Sequence, residues 1–323
     1  MSLEQRPKVS VIVPVYRVEP FIEKCADSLL RQTLDAIQFI FVDDCGGDAS
    51  VDLLRGVVGR YPERNVLIVS MPQNSGVSAA RARGIALATG DYLGFCDSDD
   101  WVEPTMYERL YDAAIGQKAD IVACGYNEII GRKVTKFQFD KASDDLATIM
   151  SFTRFGSEYG ALWNKIIRRE FFLTENLHLG DGLSMWEDSC TLIPMRLRSA
   201  KTVFLPDCLY NYYVNEGSVT TRFLMRKVTD SCEAVRRLEQ FFVSNGYASE
   251  SKELVEFLKL NATEVLMRFP SRENIVMWRE TFPEAASAIW RYPSWNVVLK
   301  FRAWLVARLP LPLAMIVVKY VRK

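Results

Sequence analysis

The stretch GVSAARARGIALATGDYLGFCDSDDW, residues 76–101, holds three kinds of sequence in a row. An alanine- and leucine-rich segment over 76–89 has helical character, and a short apolar run at 92–96 (YLGFC) has strand character. Asp97-Ser98-Asp99-Asp100 follows the strand directly. Outward from it, β-branched runs recur at 8–13 (KVSVIV), 37–42 (IQFIFV), 66–70 (VLIVS) and 120–124 (DIVAC). Helix-like segments at 19–32, 48–61 and 104–117 lie between them. Strands alternating with helices of this length predict βαβ units. Right-handed crossovers then give an α/β fold with a Rossmann-like, mostly parallel central sheet flanked by helices. The strands are near-continuous apolar runs, as expected when both sheet faces are covered.

The 323 residues amount to two domains' worth of chain, and 49% apolar with 25% charged content is that of an ordinary globular protein. Forty basic residues balance forty acidic ones, so net charge gives no sign of a nucleic-acid partner. Seven scattered cysteines, odd in number and without a CxxC pair, point to a reducing compartment. No secretory leader is recognisable, because the apolar run after Lys8 is short and contains Pro14. No stretch has the ~20 apolar residues that span a bilayer. The chain is expected in the cytoplasm.

Residues 126–220 are mixed, and Tyr210, Tyr212 and Tyr213 predict short antiparallel strands. From 223 onward helices dominate. Leu254, Phe257, Leu258, Ala262, Val265, Leu266 and Phe269 form one helical stripe, and Leu224, Val228, Cys232, Val235 and Leu238 form another. Core packing explains both.

In an open parallel sheet, ligands bind beyond the carboxyl ends of the strands. Here strand one ends in Pro14-Val15-Tyr16, strand two in Asp43-Asp44 and strand four in Asp97-Ser98-Asp99-Asp100. Five acids at two strand ends repel one another unless something positive sits among them, and a divalent cation is one answer. Asp97 and Asp99, two residues apart in an extended segment, face the same side. A helix cap or turn accounts for such a triplet as well. No phosphate-cradling glycine loop is present, so phosphates would need a metal and arginine instead, with Arg81 and Arg83 as candidates. A solvated helix face is the alternative for both arginines.

These residues amount to a known pattern. The run VSVIVPVY…SLLRQTL…FIFVDDCGGDAS…NSGVSAARARGIALATGDYLGFCDSDDWVEP, over residues 7–125, resembles family 2 glycosyltransferases, inverting enzymes of the GT-A fold. It is similar to the bacterial enzymes of capsule, exopolysaccharide and lipopolysaccharide synthesis. ALWNKIIRREFF (161–172), MWEDSCTL (185–192) and YNYYVNEGSVT (210–220) resemble the acceptor-side half. The resemblance implies a catalytic domain over 1–220, with 1–125 for the sugar nucleotide and 126–220 for the acceptor, and a helical region over 221–323. It implies Pro14 and Tyr16 at the nucleotide, Asp44 at the base, and Arg81 near the nucleotide. Asp97, with Ser98, falls at the ribose or the metal, and Asp99 is the direct ligand of Mn²⁺ or Mg²⁺. Asp188 is the general base, with Glu187 beside it. The donor implied is a nucleoside-diphosphate sugar, most often UDP-linked, and the acceptor a glycan or lipid-linked saccharide. Arg17, Cys45-Gly46 and Ala82 depart from the family's usual Asn, Gly-Ser and Asn. His178, the only histidine, fits a loop or core better than a metal site. Trp163, Asn164 and Lys165 fit either the acceptor side or the core. A nucleotidyltransferase and a non-catalytic sugar-nucleotide-binding protein are the competing readings.

The zero net charge hides an asymmetry. No acid follows Glu284, while Arg291, Lys300, Arg302, Arg308, Lys319, Arg322 and Lys323 give the last 33 residues a charge of +7. NVVLKFRAWLVARL (296–309) followed by PLPLAMIVVKYVRK (310–323) reads as a basic amphipathic tail. Peripheral attachment to the cytoplasmic face of a membrane is one expectation, and a helix pair packed on the protein is the other.

Overall fold

The computed structural model describes residues 6–139, 146–151, 161–175, 180–199, 201–214 and 225–320. His178 lies outside these residues, as do Leu224, Arg322 and Lys323. The chain divides into two compact units, Met1–Ile149 with Ser157–Arg222, and Met150–Gly156 with Phe223–Lys323.

The first unit begins with the predicted alternation: β1 (Val9–Val15), α1 (Ile22–Leu30), β2 (Ile37–Asp43), α2 (Ser50–Val58), β3 (Asn65–Ser70), α3 (Val77–Leu87) and β4 (Tyr92–Phe95). These four strands are parallel in the order β3-β2-β1-β4. The sheet therefore changes winding direction between β1 and β4, which opens a crevice at their carboxyl ends.

Side-chain alternation explains why both faces of β1 are apolar. Val9, Val11 and Val13 enter one core cluster with residues of α1 and α2. Ile12 enters the other, with Ile40, Val42, Leu93 and Phe95. Helix α3 lies close on that second face because residue 84 is glycine. A Cβ there would meet Ile12 Cγ2 at 2.4 Å.

The rest of the sheet contains the short antiparallel strands expected there, but in an order the sequence does not show. After β5 (Trp101–Val102) and α4 (Met106–Gln117), β6 (Ile121–Ile130) does not pair with β4. It turns back on itself through β7 (Lys133–Phe137). After α5 (Leu146–Ile149), the short β8 (Lys165–Arg168) lies between β4 and β6, antiparallel to both. After α6 (Arg169–Glu175) and α7 (Glu187–Arg198) comes β9 (Thr202–Tyr213), one long strand rather than several short ones. It runs parallel to β6, with an irregularity at Cys124–Tyr126, and antiparallel to β5. A chain-local reading misses the order of these strands because β8 begins 35 residues beyond the end of β6 and still inserts between β6 and β4.

The second unit is helical: α8 (Met225–Ser244), α9 (Lys252–Arg268), α10 (Arg272–Thr281), a 3-10 turn over Pro283–Ala288, α11 (Val297–Arg308) and α12 (Leu311–Tyr320). Val228, Cys232, Val235 and Leu238 of α8 are buried, as are Leu254, Phe257, Leu258, Ala262 and Leu266 of α9. Val265 is half-buried and Phe269 is 54% exposed, contrary to the stripe. Phe269 follows the last turn of α9 with ψ 68°, so it leaves the helical face. Arg302 ties two helix ends together. Its Nη2 donates to the carbonyls of Met267 (3.2 Å) and Val318 (3.3 Å), in the last turns of α9 and α12. Such carbonyls lack intrahelical partners and favour a cation.

Candidate active site

The crevice begins with a proline. Ile12 turns its carbonyl to the β4 side, accepting from Cys96 N at 3.1 Å, while Val15 faces β2, accepting from Asp44 N at 2.9 Å. Pro14, two residues after Ile12, therefore directs its missing N–H toward β4, which ends at Phe95. No ladder bond is lost, and the two strands part. Tyr16, 41% exposed, stands at the mouth.

Across the crevice, Arg81 of α3 is the centre of the charged groups. Its Nη2 donates to Asp97 Oδ1 at 3.0 Å, and its Nη1 donates to Glu187 Oε1 at 2.9 Å and Asp188 Oδ1 at 2.6 Å. The arginine side chain is only 8% exposed. Asp188 Oδ2 accepts from Leu162 N at 3.1 Å, so the loop before β8 holds the carboxylate from its other side. Trp186, at φ 65°, starts α7 from the left-handed region and brings Glu187 and Asp188 into its first turn. Gly180 permits this, because a Cβ there would lie 2.5 Å from the Glu187 carbonyl oxygen. Burial pushes Asp188 up to about 7; the Arg81 charge opposes this, and the Glu187 and Asp97 charges add to it. Attraction to the three acids outweighs desolvation at Arg81 and pushes its pKa up.

The strand-end acids meet their protein partners one by one rather than as a cluster. Among the described residues no group of three or more His, Cys, Asp or Glu side chains is placed to hold a metal. Four of the five have a partner elsewhere in the protein. Arg81 supplies the positive charge at Asp97. Asp44, 2% exposed, accepts from Ser75 N (2.7 Å) and Gly76 N (2.8 Å), tying β2 to the loop before α3. Asp43 Oδ1 accepts from Cys45 N at 3.0 Å. Asp100 is buried and accepts from Tyr213 N and the Tyr210 hydroxyl, each at 2.7 Å, rather than capping a helix. Asp99 alone of the five is left without such a partner. It forms no ion pair among the described residues, and burial together with the Asp97 charge pushes it up to about 6.

Other residues sort readily. Arg83 is exposed, the solvated-face alternative, whereas Arg81 is buried. Ser98 is 6% exposed. Trp163 is a core aromatic, stacked on Tyr210 at 4.4 Å and Tyr212 at 5.7 Å, and Asn164 and Lys165 are buried beneath it. Arg17 and Cys45 both adopt positive φ, 53° and 56°, which explains why Asn and Gly are the usual residues there. Sequence reasoning missed two supports: the Leu162 amide, and the Tyr210 hydroxyl, which accepts from Asp97 N at 3.1 Å. Backbone groups leave no residue signature, and Tyr210 carried only a strand signal.

A glycosyl transferase family 2 model matches residues 10–177. The chain belongs to that family. The uncharacterized glycosyltransferase EpsJ of Bacillus subtilis is 35% identical over 221 residues, which cover 66% of this chain and 63% of the relative. The chain thus spans less than two thirds of EpsJ. Among solved structures, Staphylococcus aureus TarS 1–349 in complex with UDP-GlcNAc has a TM-score of 0.74 at 18% identity, covering 97% of this chain and 90% of that one. A mannosyltransferase from Pyrobaculum calidifontis, in complex with GDP-Man and Mn²⁺, has a TM-score of 0.54 at 16% identity, covering 98% and 85%. The fold is GT-A, with a helical C-terminal region in this chain.

Proposed function

We propose that this family 2 protein is an inverting glycosyltransferase that moves a sugar from a nucleoside diphosphate, UDP by preference, to a hydroxyl of a glycan or lipid-linked acceptor. The observation that carries the reading is the single guanidinium of Arg81 holding Asp97, Glu187 and Asp188 beside the crevice between β1 and β4. Asp97 belongs to the donor side of that crevice and Asp188 to the acceptor side, so the two halves of the reaction share one support.

In the proposed step, Asp188 takes the proton of the acceptor hydroxyl as its oxygen attacks the anomeric carbon. The bond from that carbon to the diphosphate oxygen breaks on the opposite face, and its electron pair leaves with the nucleoside diphosphate. A carboxyl poised at about 7 is matched to that role, since a base works best with a pKa near the working pH. Glu187 shares Nη1 of Arg81 with Asp188 and keeps the arginine from being a partner of the base alone. Tyr16 and Pro14 line the nucleotide end, Asp44 sets the loop that meets the base, and Ser98 lies under the donor-side turn.

Asp99 and Asp97 suit a divalent cation. Two acids close in sequence, one of them raised by the charge of the other, are relieved by a cation between them. With only these two protein ligands, the remaining oxygens would come from diphosphate and water. When bound, such an ion takes up the negative charge that develops on the leaving diphosphate. TarS was seen with UDP-GlcNAc, and the mannosyltransferase with GDP-Man and Mn²⁺, which supports a nucleotide-sugar donor and Mn²⁺ or Mg²⁺ here. A cytoplasmic enzyme that meets a membrane surface through its C-terminal tail completes the reading, because that surface is where a lipid-linked acceptor resides.

The test is donor turnover over a panel of UDP-, GDP- and dTDP-sugars with Mn²⁺, Mg²⁺ or EDTA. The reading requires release of nucleoside diphosphate from at least one donor, lost in EDTA. A nucleotidyltransferase would release pyrophosphate instead, and a binding protein would release nothing.

A further inference from the structure

Helices α11 and α12 carry apolar side chains on their outer faces as well as on their inner ones. The inner face of α11 buries Arg302, Ala303 and Val306, yet its outer face carries Val297 (72% exposed), Val298 (46%) and Phe301 (47%). Helix α12 likewise buries Ala314 and Val318 while exposing Leu313 (48%), Ile316 (52%) and Tyr320 (72%). Single exposed apolar residues are ordinary, but each of these two successive helices carries three on its outer face. An open groove in the same unit is lined by Phe269, Trp295, Ile316 and Tyr320 together with the charged Glu264 and Lys319.

The charges on these helices are of one sign. Among the described residues, Lys300, Arg308 and Lys319 form no ion pair with any acid, unlike Arg291, which binds Glu253 and Glu256, although Lys300 Nζ donates to the Trp290 carbonyl at 3.0 Å. Arg308 lies 4.7 Å from the Trp304 ring and Lys319 5.3 Å from the Tyr320 ring. Phe301 stacks on Trp304 at 6.2 Å. Cations with aliphatic stems along aromatic rings, beside exposed apolar side chains, suit the boundary between headgroups and acyl chains. No acid follows Glu284 anywhere in the sequence. Among the described residues, no helix is long and apolar enough to cross a membrane, so contact would be interfacial.

We propose that α11 and α12 dock the protein on the surface of an anionic lipid bilayer, with Phe301, Leu313 and Ile316 entering the acyl boundary and Lys300, Arg308 and Lys319 facing the headgroups. The occupant follows from charge complementarity: an anionic surface answers three cations that have no acidic partner among the described residues, and a neutral or basic one does not. The inference deepens the membrane contact in the proposed function by naming its residues and lipid class, and its test reads lipid binding without transfer, so its failure leaves the transfer step standing.

Flotation of the full chain with phosphatidylcholine vesicles, with and without roughly one third phosphatidylglycerol, tests it. Wild type should float with the anionic vesicles only, and less so as salt is raised. Phe301→Ser with Leu313→Ser and Ile316→Ser should lower partitioning at least tenfold. Lys300→Gln with Arg308→Gln and Lys319→Gln should lower it roughly fivefold per cation on anionic vesicles. Every substituted position except the half-buried Lys300 is exposed, so an unchanged thermal midpoint shows that the fold has survived. Absence of wild-type flotation overturns the proposal, as does equal partitioning of the folded variants. A vesicle-free dimer that the apolar variant abolishes, without flotation, assigns the face to a second copy and overturns it too.

Discussion

Arg81 Nη1 and Asp188 Oδ1 lie 2.6 Å apart, although 107 residues separate them in the chain. That bond joins the helix entering β4 to the first turn of α7, and so ties the donor-side acids to the proposed base. Both groups are mostly buried, so breaking the bond from either side leaves a charge without its partner.

Arg81→Met should therefore be costly. Removing one partner of a buried ion pair typically costs ~3–5 kcal/mol. Here three carboxylates lose their cation together, so urea unfolding should fall at or above that range. Arg81→Lys keeps the charge but not the fork that reaches both sides, and should lie between Met and wild type.

The pH profile follows from Asp188. A base raised to about 7 is deprotonated above that pH and protonated below it. Transfer should fall roughly tenfold per pH unit on the acid side and level off above neutrality. Since the Arg81 charge lowers the Asp188 pKa, Arg81→Lys, with its ammonium set farther from the carboxylate, should move the acid limb to higher pH. An acid limb unmoved in that variant would uncouple the arginine from the base.

Asp99 and Asp100 should behave oppositely. Asp99→Asn removes like-charge repulsion and no ion pair, so stability should hold or rise while Mn²⁺-linked donor binding is lost by calorimetry. Asp100→Ala leaves the Tyr213 amide and the Tyr210 hydroxyl without an acceptor, which should cost ~1–3 kcal/mol for each group that stays buried.

Gly84→Ala tests the close seating of α3 on β1. The added methyl would overlap Ile12, and overpacking of this kind costs ~1–3 kcal/mol. Because the same helix carries Arg81, donor turnover should drop with stability rather than independently of it.

Much of this was legible before any coordinates. The four parallel strands and their helices fall where hydrophobic runs and helical segments placed them, because both are set by local periodicity. Asp97, Asp188 and Arg81 were visible as residue types at family positions. What local sequence could not carry was the electrostatic arrangement. The run of acids gives no sign that Arg81, four backbone amides and the Tyr210 hydroxyl accommodate Asp43, Asp44, Asp97 and Asp100 one at a time, leaving Asp99 with no ion pair among the described residues. The placement of β8 was hidden for a related reason: sheet order depends on contacts far apart in the chain. The basic, apolar character of 296–323 is legible too, but which side of α11 and α12 is covered is not, since hydrophobic residues on both sides of a helix give no periodic sign of it.

The most direct measurement is paired calorimetry and turnover on Asp188→Asn, which replaces the base by a group of the same shape that cannot take a proton. The account predicts that the variant still binds a nucleotide sugar in the presence of Mn²⁺ while transfer falls by at least a hundredfold. Transfer at the wild-type rate would contradict it.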